Sequence, residues 1–204
     1  IVAYDTSSGR QFSRKILTTY DDPARAVIDG INTLVQAGEL QLDVTSRVVH
    51  ATTLFTNALI ERRGAKTGLI TTEGFRDTLE IGRERKFGLY DIAIRKPEAL
   101  VPRDLRTEAR ERITATGQVL LPLDTASLQS AGQALVDAGV EAVAVIFLHS
   151  YLNNEHEAQA AAFLADTFPQ LSVTISSEVA PEVREFERAS TTAANAYIKP
   201  LAES

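Results

Sequence analysis

Three stretches of the chain concentrate side chains able to do chemistry. The densest runs Glu178-Val179-Ala180-Pro181-Glu182-Val183-Arg184-Glu185-Phe186-Glu187-Arg188-Ala189-Ser190-Thr191-Thr192-Ala193-Ala194-Asn195-Ala196-Tyr197. Six charges fall in its first eleven residues, and three consecutive hydroxyls follow. Acids in such a pattern can bind a cation or take a proton, and arginines can hold a carboxylate or phosphate. Helical i,i+3 and i,i+4 ion pairing, for instance Arg184 with Glu187, would use the same residues without any ligand. Sequence physics leaves both readings open.

The second stretch is His50-Ala51-Thr52-Thr53-Leu54-Phe55-Thr56-Asn57-Ala58-Leu59-Ile60-Glu61-Arg62-Arg63. A histidine followed by two hydroxyls at the start of a helix could receive an anion, because free backbone N–H groups and the helix dipole point that way. Thr52 and Thr53 could equally be plain N-caps. Thr56 and Asn57 are poor helix formers, which suits a role outside the helix. The third stretch, residues 71–83, presents Arg76 and Asp77 on a loop that caps a helix. The histidines His50, His149 and His156 share no metal-binding spacing. His149 follows a buried strand, at the end where ligands of α/β sheets gather. No Walker A loop, G-x-G-x-x-G or G-x-S-x-G stretch occurs.

These residues need elements to position them. Strands are expected over residues 1–5, 11–17, 47–50, 66–72, 108–114, 118–121, 142–148 and 172–176. Helices are expected over 23–37, closed by Gly38, then over 52–61, 75–81, 127–138, 154–168 and 186–197. The run Ala142-Val143-Ala144-Val145-Ile146-Phe147-Leu148 is continuously apolar, as in a strand covered on both faces. Alternation of strands and helices implies a mostly parallel sheet. Pro97, Pro102 and Pro122 punctuate the middle of the chain. The expected organisation is therefore a first α/β segment over 1–90, a linker with edge elements over 91–124, and a second α/β segment over 125–204.

Bulk composition narrows the function classes. The 204 residues carry a formal net charge of -6, which disfavours nucleic acid or an anionic membrane as the main partner. Absence of cysteine excludes disulfides, thiolate catalysis and sulfur-ligated zinc. No run of about 18 apolar residues exists to span a bilayer. The N-terminus has neither a basic region nor a cleavage site, so the expected compartment is the cytoplasm. Methionine is absent even at position 1, as expected of a processed or incompletely represented chain.

The ordered motifs resemble the hydantoinase A/5-oxoprolinase family. Arg47-Val48-Val49-His50-Ala51-Thr52-Thr53 with Thr56-Asn57-Ala58-Leu59 is similar to its HGTT-x-x-TNAL segment, with Ala51 where the family has Gly. Gly64-Ala65-Lys66-Thr67-Gly68-Leu69-Ile70-Thr71-Thr72-Glu73-Gly74-Phe75-Arg76-Asp77 continues the match. Leu89-Tyr90-Asp91, Lys96-Pro97, Leu100-Val101-Pro102-Arg103, His149-Ser150-Tyr151, Ser176-Ser177-Glu178-Val179 and the Arg184-to-Tyr197 block follow in order.

The resemblance implies an actin/hexokinase-like (ribonuclease H-like) partial ATPase domain with an inserted or following α/β unit. The family pattern places a glycine-rich acidic phosphate loop before the position of Ile1 and a second ATPase half after Tyr197. Implied activity is ATP-dependent hydrolysis of a cyclic amide of hydantoin or 5-oxoproline type. Ketone carboxylation and a non-catalytic binding or assembly module are the alternatives. ATP and Mg2+ are the implied cofactors; a hydantoinase B-type subunit or domain and oligomerisation are the implied partnerships. Residues expected at the site are His50, Glu185, Glu187 and Arg188 for catalysis. Thr52, Thr53, Thr56, Asn57, Arg76, Asp77, Arg184, Ser190 and Thr191 are expected for nucleotide or substrate, with no metal ligand on the chain.

Overall fold

The computed structural model describes residues 1–19, 21–49, 53–83, 90, 91, 93 and 96–203. Its contacts divide the chain into two compact units, Ile1–Thr52 and Thr53–Ser204. In the first unit β1 (Val2–Tyr4) and β2 (Gln11–Ser13) form an antiparallel hairpin. Asp5 closes its turn by accepting from the Ser7 amide at 2.8 Å and from the hydroxyls of Ser7 and Ser8. Helix α1 (Pro23–Gln36) starts as its sequence dictates, with Asp22 accepting from the Ala24 amide at 3.1 Å and proline in the first turn. Residues 47–49 take no regular structure, and Val48 and Val49 are exposed, so the expected strand over 47–50 does not form in its described part. Among the described residues no strand pairs with these two exposed valines, and β-propensity alone does not make a strand.

The second unit is a four-stranded parallel sheet in the order β4-β3-β7-β8. Its strands are β3 (Thr67–Thr72), β4 (Arg106–Ala109), β7 (Ala142–Ile146) and β8 (Ser172–Ile175). Helices α4 (Thr125–Asp137) and α5 (Glu155–Thr167) pack on each other and on the sheet. Helix α7 (Glu185–Glu203) packs on β3, β7 and β8 and, among the described residues, makes no substantial contact with α4 or α5, so it covers the other face. Every residue of β7 is buried, as its unbroken apolar run requires of a strand covered on both sides. Among the described residues no helix is long and apolar enough to cross a membrane.

The boundaries read from sequence differ from these units. Strand β3 pairs with β4 through Leu69–Arg106 and with β7 through Leu69–Ala144, so one sheet joins residues on both sides of 91–124. The expected strand over 108–114 divides. Residues 106–109 enter the parallel sheet, while β5 (Arg112–Ile113) pairs antiparallel with β6 (Val119–Leu121). The expected helix over 75–81 shortens to α3 (Thr78–Ile81), after turns at 73–74 and 76–77. A short α2 (Leu54–Ile60) and a single-turn α6 (Ser176–Val179) complete the elements used below.

Gly132 on α4 permits close packing against α5 and the Phe168 that ends it. A Cβ there would stand 2.6 Å from Phe168 and 3.0 Å from Leu164, both buried. Glycine to alanine in a helix gains about 1 kcal/mol of propensity, whereas overpacking costs about 1–3 kcal/mol. Gly132→Ala should therefore lower stability in urea unfolding; a gain in stability would contradict this packing.

Candidate functional site

Parallel α/β sheets carry ligands at the carboxyl ends of their strands. Here those ends are Thr72 on β3, the segment from Ile146 to His149 after β7, and Ser176 after β8. Helix α7 begins above them. Two residues around this edge adopt left-handed backbone despite having side chains, His149 at φ 56° and Arg184 at φ 86°. Such conformations are uncommon outside glycine and cluster at functional sites.

Arg188, in the first turn of α7, has only 1% of its surface exposed. Its Nη1 donates to Ser150 Oγ at 2.7 Å and its Nη2 to the Phe147 carbonyl at 2.9 Å. The guanidinium also sits 5.5 Å over the Tyr151 ring, a cation–π contact. Its Nε is buried without a hydrogen-bond partner. Burial holds its pKa below the ordinary arginine value, and the fields of Glu157, Glu185 and Tyr151 oppose that shift.

Glu157, wholly buried on α5, closes the arrangement. It accepts from the Phe147 amide at 2.9 Å, Ser176 Oγ at 2.6 Å and the Ser177 amide at 2.8 Å. Ser176 and Ser150 hydroxyls are 3.0 Å apart, so a continuous polar chain links Glu157 to Arg188. A second buried cluster lies beside it. His156 Nδ1 is 2.7 Å from Glu111 Oε2, Glu111 also holds Thr72 Oγ1, and Thr72 accepts from the Leu148 amide at 3.0 Å. His149 Nδ1 is buried and unpaired, with the ring edge-on to Tyr151 at 6.2 Å.

Above Arg188 opens a cleft of about 460 Å³. Phe75, Ile81 and Phe186 supply apolar walls, and Arg83, Arg184, Glu185 and Glu187 supply charge. Gly82 ends α3 at φ 61° and ψ −136°, a turn that side chains disfavour, and it swings the following Arg83 to the rim. Arg83 Nε stands 2.7 Å from Glu187 Oε1, and Arg184 Nη1 stands 3.8 Å from the same oxygen.

The expected site residues therefore separate. Arg184, Glu185 and Glu187 gather at the cleft, with Arg188 beneath it. Ser190 does not join them: its hydroxyl donates to the Glu187 carbonyl at 3.2 Å, one turn back along α7. Thr191 is exposed and outside the cleft lining. Arg76 offers its amide to Glu108 at 3.3 Å, and Asp77 pairs with Arg103 through contacts of 2.8 and 3.1 Å. Neither lines the cleft. Thr53 precedes α2 without a side-chain cap bond, and Thr56 and Asn57 are exposed on that helix. His50 and Thr52 lie outside the described residues.

Sequence reasoning missed Arg83, Ser150, Tyr151, Glu157 and Ser176. The available signal was the abrupt change from the apolar run ending at Leu148 to His149-Ser150-Tyr151, at the ligand end of a buried strand. Glu157 carries no such signal, because an acid in a helix's first turn is ordinary. Among the described residues no group of three or more His, Cys, Asp or Glu converges as metal ligands.

Residues 1–168 match the hydantoinase/oxoprolinase N-terminal region. The chain belongs to that family. It is 39% identical over 155 residues to the caprolactamase subunit alpha of Pseudomonas jessenii, covering 75% of this chain and 22% of that protein. The crystal structure of ATP-dependent caprolactamase from Pseudomonas jessenii superposes with a TM-score of 0.84 at 32% identity, covering 99% of this chain and 30% of that one. A nucleotide-free acetone carboxylase structure superposes with a TM-score of 0.78 at 25% identity, covering 92% and 29%. The chain thus spans less than a third of the length of the relatives it matches.

Glu157→Ala would strand two buried donors and one half-buried one, and remove a counter-charge of Arg188. It should cost about 3–5 kcal/mol in denaturant unfolding, and a loss under about 1 kcal/mol would show that the chain of polar contacts does not bear on stability. Arg103 holds the Asp77 carboxyl below its ordinary value, chiefly by hydrogen bonding. A lowered folded pKa stabilises above the unfolded value and loses that effect as pH falls through the folded one. The thermal-midpoint gap between the parent and Asp77→Asn should accordingly narrow on acidification below about pH 4; a gap independent of pH would refute the ion pair.

Proposed function

We propose that this chain is part of an ATP-dependent enzyme that opens a cyclic amide of hydantoin or 5-oxoproline type. The observation that carries the reading is the cleft at the start of α7, with apolar walls beside Arg83, Arg184, Glu185 and Glu187 and the buried Arg188 lining the small chamber that adjoins it. A volume of about 460 Å³ falls within the usual range for small-molecule sites, about 300–1,000 Å³. An amide carbonyl is a poor electrophile. ATP supplies a phosphoryl group that can activate the carbonyl oxygen.

On this reading Arg184 and Arg83 attract an electron-rich oxygen at the cleft mouth. Glu185 and Glu187 are the bases nearest a ring held there, and Arg188 orients it from below. Thr53, Thr56 and Asn57 present uncommitted polar groups along α2 and are the described residues offered to nucleotide, together with His50 and Thr52. Mg2+ would be held by the nucleotide's phosphates, since the described acids do not converge as a ligand set. Arg76 and Asp77, expected for nucleotide or substrate, are instead assigned to shaping the loop that precedes α3. An actin/hexokinase-like arrangement, a hydantoinase B-type partner, oligomerisation and a cytoplasmic setting complete the proposal. The likeness to acetone carboxylase favours ketone carboxylation as the second reading.

The test is ATP hydrolysis by the intact protein with its partner subunit, in the presence of lactams, hydantoins, 5-oxoproline or ketones. Stimulation by a cyclic amide is expected, stimulation only by a ketone with bicarbonate would favour carboxylation, and no stimulation would refute both. Thr53→Ala should lower turnover more than about tenfold, equivalent to about 1.4 kcal/mol of barrier; an unchanged rate would remove Thr53 from the site.

A further inference from the structure

The cleft has a deep end that its charged mouth does not explain. A small chamber continues inward, sharing Phe75, Thr78 and Glu185 with the outer cleft, and Arg188 forms part of its wall. With a volume of about 10 Å³ it has room for little more than one polar atom. Arg188 spends Nη1 on Ser150 and Nη2 on the Phe147 carbonyl, yet its Nε–H is buried without an acceptor. A buried donor left unpaired costs about 1–3 kcal/mol. Glu185, one turn earlier on the same helix face, lines the same chamber, and none of the hydrogen bonds among the described residues uses its carboxylate.

Charge decides what fits. Glu157 and Glu185 both act electrostatically on the single guanidinium. Counting the cleft as a whole, Arg83, Arg184 and Arg188 are balanced by Glu157, Glu185 and Glu187, so the unpaired Nε–H suits an uncharged acceptor. A carboxylate beside it suits a donor. A secondary amide locked cis by a small ring presents these two groups, C=O and N–H, along one edge, whereas an open-chain amide prefers trans and separates them. Phe75, Ile81 and Phe186 provide apolar surface for the rest of the ring in the outer cleft.

We propose that Arg188 and Glu185 form a subsite for the cis-amide edge of a ring, with Arg188 Nε–H donating to the carbonyl oxygen and the Glu185 carboxylate accepting from the ring N–H. The proposal rests on the cyclic-amide reading above and adds the atoms that read the amide. It also sets a specificity: the ring nitrogen must carry a proton.

The experiment is calorimetric titration of the intact protein with δ-valerolactam, N-methyl-δ-valerolactam and acetate. Parent, Glu185→Ala and Arg188→Lys proteins are compared. In the parent, δ-valerolactam should bind at least about tenfold more tightly than its N-methyl analogue, and acetate should not bind. Glu185→Ala, at a partly exposed position with no structural hydrogen bond, should erase that discrimination, and Arg188→Lys should weaken both lactams. Equal affinity of the two lactams for the parent, discrimination that survives Glu185→Ala, absence of lactam binding, or acetate binding lost in Arg188→Lys would each overturn the subsite. The two proposals fail separately. Lactam-stimulated ATP hydrolysis whose KM is unchanged by Glu185→Ala defeats the subsite and leaves the activity standing; discriminating lactam binding without ATP turnover does the reverse.

Discussion

A guanidinium buried at the start of a helix, with no carboxylate bonded to it, is the constraint on which the rest of the second unit depends. Taking an arginine out of water is costly, and among the described residues no ion pair to Arg188 repays the cost. The compensation is distributed instead over a hydroxyl, a main-chain carbonyl and an aromatic face, from Ser150, Phe147 and Tyr151. Glu157 acts at one remove, fixing Ser176 and the Phe147 amide while supplying negative field. Such an arrangement holds the guanidinium in one orientation, which a flexible surface arginine does not have.

Two strained backbone positions follow from the same constraint. His149 turns left-handed where the chain leaves β7, and this places Ser150 and Tyr151 against Arg188. Arg184 turns left-handed just before α7, and this aims the helix start at the cleft. Each such conformation costs about 1–3 kcal/mol and persists only where surrounding contacts hold it. The buried His156–Glu111–Thr72 cluster braces the neighbouring strand ends, joining α5 to β3 and β7. The sheet edge is thereby a rigid floor, and the cleft above it is lined by side chains from the less regular segments around α3 and the start of α7.

Membership of the hydantoinase/oxoprolinase family places the chain among relatives that include ATP-dependent amide hydrolases and ketone carboxylases. It spans under a third of those relatives, so what it contributes is a sheet, its cleft and the positioning of a few side chains. The physical content of that contribution is a polar site with a fixed donor, which either chemistry could use.

Much of the second unit was legible in the amino-acid sequence because its signals are local. The apolar run 142–148 declared a strand covered on both faces, Asp22 and Asp124 declared helix starts, and the ordered motifs declared the family. The charge-rich block at 184–188 drew attention to Arg184, Glu185, Glu187 and Arg188, which the fold gathers in and beside one cleft. Local signals also misled. Residues 47–49 have strand-forming types but no partner edge, and one apparent strand over 108–114 serves two different sheets. Tertiary structure alone decided that Arg188 is buried while Arg184 and Glu185 face the cleft, that Thr191 lies outside its lining, and that Glu157, Ser176 and Ser150 are linked to Arg188. The reason is geometric: those contacts join residues 19 to 41 positions apart, across strand ends whose proximity exists only once the parallel sheet has formed.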